Sequence, residues 1–324
     1  MSLSRAFTHA LAACLLLACF RAGRAQDAAP RPAPSAPFRV GLLVADAKNR
    51  SAGDLRKEDL RIRLGGVEQA VSLLAKDESP VSYGLVVDNS GSLHRQIDAV
   101  VAAAQSLVRQ TRPGDEGFLV RFVGSENIKL FQDFTSDPTE LVEALDSMYI
   151  EAGQTALTDA VHLAAEHLVK KGAAGPGGPR RRVLILISDG DDRASYYRPD
   201  DVLRFLREHD VEVFCVGLPR DLSTASFTRP SQRAAAVSLL KRLSKETGGR
   251  AFFADNVGEL KEAVAGVADA LRARYVVEFA PAGKDGQPAS GKLEIEAADA
   301  AGLPGREVFY RQWSFKKGEP ERKK

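Results

Sequence analysis

Hydrophobic residues follow two different textures along this chain. From Phe38 to Glu78 short strand-like runs succeed one another, FRVGLLVAD, DLRIRL and EQAVSLLA, with Gly65 and Gly66 turning the chain between the second and third. From Val81 the pattern changes. YGLVVD is a continuous apolar run ending in polar residues, as expected of a strand buried on both faces. Ile97, Val100, Val101, Ala104, Leu107 and Val108 then repeat at helical spacing within 94–111. The alternation continues through strands GFLVRFV and IKLFQDF (an edge), helices over 138–149 and 156–171, and strand RVLILIS. Helix 199–209, strand VEVFCVGL, helix 232–247, strand RAFFA and helix 257–273 complete it. Such alternation predicts an α/β fold, a doubly wound and mainly parallel sheet covered on both faces. From Arg274 strand texture returns in RYVVEFAP, KLEIEAAD and REVFYRQW. Neither flank has enough strands for a stable sheet of its own. The N-terminal β segment (38–80) and the C-terminal one (274–315) are therefore expected to pair into a small β domain, with the α/β domain (81–273) inserted between them.

The ends of the chain read differently. Arg5, the apolar run from Ala10 to Phe20, and the small residues Gly23 and Ala25 form an export signal over 1–25, with cleavage before Gln26. A Pro- and Ala-rich linker (26–37) follows, and a charged tail (316–324) closes the chain. The apolar run is too short for a comfortable transmembrane helix. Two processing routes fit: ordinary secretion or periplasmic release, and lipidation at Cys19 in the box Leu16-Leu17-Ala18-Cys19, which would anchor the chain to a membrane of the cell envelope. Loss of the leader removes Arg5, Arg21 and Arg24 and no acid, so the formal +2 becomes −1. The formal +2 therefore says nothing in favour of a nucleic-acid partner, the charged tail is a weak patch for one, and none is expected. Cys14 and Cys19 leave with the leader, and Cys215, inside an apolar run, is expected to be a buried inert thiol.

Chemistry is concentrated in three loops. In an open parallel sheet, ligands bind beyond the carboxyl ends of the strands. The first loop there reads Asp88-Asn89-Ser90-Gly91-Ser92, the second Gly153-Gln154-Thr155, the third Asp189-Gly190-Asp191-Asp192. Each has an ordinary reading, as a helix cap or a turn. Together they place hydroxyls from Ser90, Ser92 and Thr155 and carboxylates from Asp88 and Asp189 at one end of one sheet. An oxygen-only set suits a hard cation, Mg²⁺ first and Mn²⁺ second, and the absence of His and Cys argues against zinc and copper. Five groups leave an octahedral ion open to an outside ligand, and a partner's Asp or Glu is a suitable one. Asp159, one turn after Thr155, is expected to support its loop, and Asp191 and Asp192 to be solvated loop charges.

The pattern Asp88-x-Ser90-x-Ser92, Thr155 in GQTALTDA and Asp189 in LISDGDD resembles the metal-ion-dependent adhesion site of von Willebrand factor type A (VWA) domains. The flanking segments, above all VADAKNRSAGDLRKEDLRIRLGGVEQ, are similar to a bacterial group of VWFA-related proteins, so the resemblance spans nearly the whole mature chain. It implies that Ser90, Ser92 and Thr155 contact the ion directly, that Asp88 and Asp189 act through water, and that the function is adhesion-type binding of a protein partner. In some members movement of the last helix, here 257–273, is linked to affinity. Asn89 and Leu93 depart from the family's usual neighbours at positions that are not ligands.

Enzyme readings fare worse. A phosphatase using Asp88 would need a second carboxylate where Ser90 stands. DNSGS lacks the first glycine of a nucleophile elbow, and no phosphate-binding G-x-x-x-x-G-K-[ST] loop occurs. His94 reads as an exposed residue at a helix start, and His162 and His167 are spaced so that they do not share a face. A structural envelope protein whose metal only stabilises loops, and a divalent-metal hydrolase, stand as alternatives.

Overall fold

A computed structural model describes residues 37–46, 50–51, 54–172, 180–219, 231–284, 289–297 and 306–315. The expected leader with its cysteines, the linker to residue 36 and the charged tail lie outside the described residues. The chain runs β1 (Phe38–Ala45), β2 (Leu60–Leu64), β3 (Val67–Gln69), β4 (Val71–Lys76), β5 (Val81–Asp88), α1 (Ile97–Val108), β6 (Glu116–Phe122) and β7 (Ile128–Thr135). It continues through α2 (Pro138–Asp146), α3 (Leu157–Lys171), β8 (Arg181–Ser188), α4 (Pro199–Glu208), β9 (Val211–Gly217), α5 (Gln232–Thr247), β10 (Ala251–Phe253) and α6 (Val257–Arg272). Strands β11 (Arg274–Phe279), β12 (Gly291–Ala297), β13 (Glu307–Tyr310) and β14 (Ser314–Phe315) close the series.

The central sheet has the order β10-β9-β8-β5-β6-β7, parallel except for the antiparallel edge strand β7. Its strands are apolar throughout because both faces are covered. In β5, Val81, Tyr83, Leu85 and Val87 pack toward α1 and α6, while Val86 packs with Phe118 and Leu186 toward α3 and α4. Every residue of β5 is buried. Gly84 is required in this strand by close packing, since a Cβ there would stand 2.3 Å from the Phe118 ring. At about 1.5–3 kcal/mol for each fully buried aliphatic side chain, these two layers are the main source of stability.

The flanking strands build two four-stranded antiparallel sheets, β13-β1-β11-β4 and β14-β12-β2-β3, each mixing N- and C-terminal segments. Val40, Leu42, Val44, Ile62, Leu64, Val277 and Leu293 fill the core between them. The apolar run that follows Arg39 in β1 has a physical reason: Leu43 and Ala45 face the other way, into the core shared with α6. One expected strand divides. EQAVSLLA becomes β3, which pairs with β2, and β4, which pairs with β11 in the opposite sheet. The break follows Gln69, a buried amide held by the main chain of Val67 and Ala282. Hydropathy carries no mark of such a change of sheet. The helix expected over 94–111 is shorter than its pattern, since residues 91–93 form a separate 3₁₀ turn and α1 starts at Ile97.

Candidate metal site

In this sheet the order reverses between β8 and β5, and chains leaving their carboxyl ends diverge to opposite faces, which opens a crevice. Asp88 is the last residue of β5, and Asp189 follows the last residue of β8. The first and third loops of the sequence motif therefore meet at that crevice.

Asp88 is wholly buried. Its Oδ1 accepts the Ser90 N–H at 2.9 Å and its Oδ2 accepts the Ser188 hydroxyl at 2.7 Å. The Ser90 and Ser92 hydroxyl oxygens lie 3.0 Å apart, and Ser92 donates to the Asp189 carboxylate. Asp189 also accepts the Asp191 N–H at 2.9 Å. Gly190 lets the third loop turn back beneath its carboxylate: its φ is +83°, and an added Cβ would meet Leu240 at 2.9 Å. Ser92 is the exposed member of this group, so the cluster opens to solvent on that side.

Thr155 is brought beside the third loop by a longer route. After α2 the chain crosses the ends of β5 and β6, where Glu151 N donates to Asn89 O at 3.0 Å and Asn89 Nδ2 donates to Tyr149 O at 2.9 Å. Ala156 N then bonds Val123 O at 2.7 Å. Thr155 is buried, and its carbonyl accepts Arg193 N and Ala194 N from the third loop. Four of the five expected ligands are thus joined by side-chain hydrogen bonds, and the fifth is tied to them through the main chain.

The ordinary reading, in which these side chains cap helices, fails here. Gln96 precedes α1 and Ala156 precedes α3, neither with a side-chain cap, and Ser90 makes none to the 3₁₀ turn that follows it. The first amide of α3 is satisfied instead by Asp192, whose Oδ1 accepts Leu157 N at 3.2 Å while its Oδ2 accepts the Thr158 hydroxyl at 2.9 Å. Asp192 is not the solvated charge expected of it, and Asp191, half-buried, pairs with Arg193 at 2.5 Å. Asp159 does support its loop, accepting Ser125 Oγ, Tyr196 N and Tyr197 N. Ser188 passed unnoticed in the sequence, although a serine ending the apolar run RVLILI was a visible signal.

Electrostatics match the geometry. Burial first, and the charge of Asp189 second, push the Asp88 carboxyl up to about 7, against the pull of hydrogen bonds from Ser90 and Ser188. Burial likewise raises Asp189, against bonds from Ser92 and the Asp191 amide. Two neighbouring buried carboxylates call for either a proton or a cation between them. Among the described residues no group of three or more His, Cys, Asp or Glu side chains is placed to hold a metal, so a cation here must take hydroxyls as well. Asp88, Ser90, Ser92 and Asp189, with Thr155 at their margin, fit a hard divalent ion of the magnesium type.

The other sequence candidates lie elsewhere. His94 is exposed. His162 faces Tyr197 and Phe205, while His167 contacts Asp133 and Phe134. Cys215 is buried in β9, where desolvation pushes its thiol far above the ordinary range. Among the described residues no helix is long and apolar enough to cross a membrane.

Comparison with solved structures finds similar folds at low identity. An aerotolerance-related membrane protein from Bacteroides fragilis is 18% identical, with 58% of this chain and 98% of that one covered and a TM-score of 0.45. The conserved hypothetical protein BatB from Bacteroides thetaiotaomicron is 17% identical over 59% and 98%, at 0.45. A von Willebrand factor type A protein from Catenulispora acidiphila is 12% identical over 82% and 74%, at 0.48. No curated protein matches the chain in sequence. The family model for the von Willebrand factor type A domain matches residues 84–266, more than half of the chain and the whole span from β5 into α6, and the chain belongs to that family.

Proposed function

We propose that this chain is an exported, non-catalytic binding module that recognises an acidic group of a partner protein through Mg²⁺ held by Asp88, Ser90, Ser92, Thr155 and Asp189. The observation that carries this reading is the conduct of the motif side chains. They cap no helix, and four of them turn toward one another at the crevice. The ion would supply a positive centre with a position open to an outside carboxylate. The protein's own groups do the rest. Ser188 and the Ser90 amide fix both oxygens of Asp88, the Asp191 amide fixes Asp189, and Asp192 holds the α3 terminus that follows Thr155. Exposed Arg95, just after the first loop, favours an acidic partner at the rim. Export is supported by the leader at 1–25.

Calorimetric titration of the metal-free protein with MgCl₂, beside thermal melts, tests the site. Saturation at a hundred times Kd is expected to stabilise the fold by about 2.7 kcal/mol. Asp189→Ala and Ser92→Ala are expected to lose both the heat and the stabilisation. Neither heat nor a melting shift at millimolar Mg²⁺ or Mn²⁺ would sink the reading.

A further inference from the structure

Beside the crevice, along the groove between α3 and α4, five rings stand in series. Tyr196 meets Tyr197 edge to face at 5.7 Å, and Tyr197 lies 3.9 Å from His162. His162 meets Phe205 at 4.9 Å, and Phe205 stacks on His209 at 4.2 Å. The first four of these rings line a cavity of about 600 Å³. Tyr196 at its mouth is 86% exposed, yet its main chain is fixed by Asp159. An aromatic ring presented to solvent on a fixed backbone gives contact area at small entropic cost, a property of binding surfaces. At the other end, His162 Nδ1 is buried with no hydrogen-bond partner among the described residues.

The groove is continuous with the metal site through one loop. That loop starts at Asp189, bonds Thr155 O through Arg193 N and Ala194 N, and reaches the groove at Tyr196 and Tyr197. The charges on the wall cancel, Arg198 and Arg204 against Asp201 and Glu208, with Arg204 paired to Asp201 at 2.8 Å. The occupant is therefore selected by shape and ring stacking rather than by charge.

We propose that the α3–α4 groove is a second subsite for the partner held at the metal, taking one neutral aromatic side chain of the same ligand whose carboxylate meets the ion. This rests on the metal-dependent reading for its anchor, and the experiment separates the two. A displayed library of random linear peptides is panned on the immobilised full chain in Mg²⁺, in parallel with Tyr196→Ala, Arg204→Trp and Asp189→Ala. Both groove positions are exposed, so these substitutions leave the fold intact. Wild type is expected to enrich Asp or Glu together with Trp, Tyr or Phe at one constant spacing. Tyr196→Ala, and Arg204→Trp which fills the groove, are expected to keep the acid, lose the aromatic preference and bind the synthesised wild-type winner about tenfold more weakly, as expected for a lost aromatic contact. Acidic peptides without an aromatic preference overturn the groove and leave the metal site standing. Aromatic peptides indifferent to chelator and to Asp189→Ala overturn the metal anchor, and with it the joined subsite. Absence of any enrichment overturns both. Sedimentation closes one further route: if wild type self-associates and Tyr196→Ala does not, the occupant is a second copy and the proposal fails.

Discussion

Asp88 carries opposing demands. Its position at the end of a fully buried strand withdraws it from water, and Asp189 adds a like charge, so that without a cation the ionised form is disfavoured. Replacing it by the isosteric amide removes the charge while keeping an acceptor for Ser90 N. In chelator, Asp88→Asn is therefore expected to melt higher than wild type, by about 1 kcal/mol or roughly 2–4 °C. In saturating Mg²⁺ the order is expected to reverse, because only wild type gains the ion. Calorimetric melts in the two buffers check this, and a variant that melts lower in chelator defeats the idea of a charge-strained pair. The sequence made Asp88, Ser90, Ser92 and Asp189 legible because polar groups clustered directly after apolar strands are costly unless used. Ser188 was hidden for a different reason. Its partner is Asp88, a hundred positions away, and nothing local distinguishes a serine that donates across strands from one that merely ends a strand.

Among the elements, α3 shows how the loops hold one another. Its first turn lacks a local cap, and Asp192 supplies the acceptor from the loop after β8, also binding Ser195 Oγ at 2.6 Å. Asp192→Ala is expected to cost about 1–2 kcal/mol, in the range of a lost helix cap, and to raise amide exchange at Leu157 and through 192–197. Exchange measured by mass spectrometry would contradict this if protection were unchanged there. The helix itself was legible from its period of apolar residues, and the edge position of β7 from its weaker pattern. The division of EQAVSLLA into β3 and β4 was not. Strand periodicity reports which residues are buried and not which sheet a strand joins, so nothing in it marks where the chain crosses from the sheet of β2 to that of β11.

At the scale of the molecule, the flanking sheets and the central sheet share buried ionic contacts as well as apolar ones. Arg274 begins β11, separated from the end of α6 by Ala273 alone, and is wholly buried. It donates to Gly248 O at 2.7 Å and to Glu212 Oε1 on β9 at 2.7 Å, while the other oxygen of Glu212 takes Arg181 from β8 at 3.1 Å. One carboxylate on β9 thus serves two guanidinium groups, one from β11 and one from β8, and joins three strands. Nearer the C-terminal end, Arg311 lies 3.5 Å over the Trp313 ring and donates to Arg207 O, and Arg250 stands between Phe252 and Phe309. These ties make the two sandwich sheets part of the same cooperative unit as the α/β core. Glu212→Ala would strand Arg274 in a buried place without its counter-charge, and removal of one partner of a buried pair costs about 3–5 kcal/mol. The expected result is a single calorimetric transition displaced downward by several degrees, with circular dichroism and tryptophan fluorescence from Trp313 moving together. Should fluorescence shift alone, leaving the helical signal at its wild-type midpoint, the sandwich melts on its own and the junction is not what unites the fold.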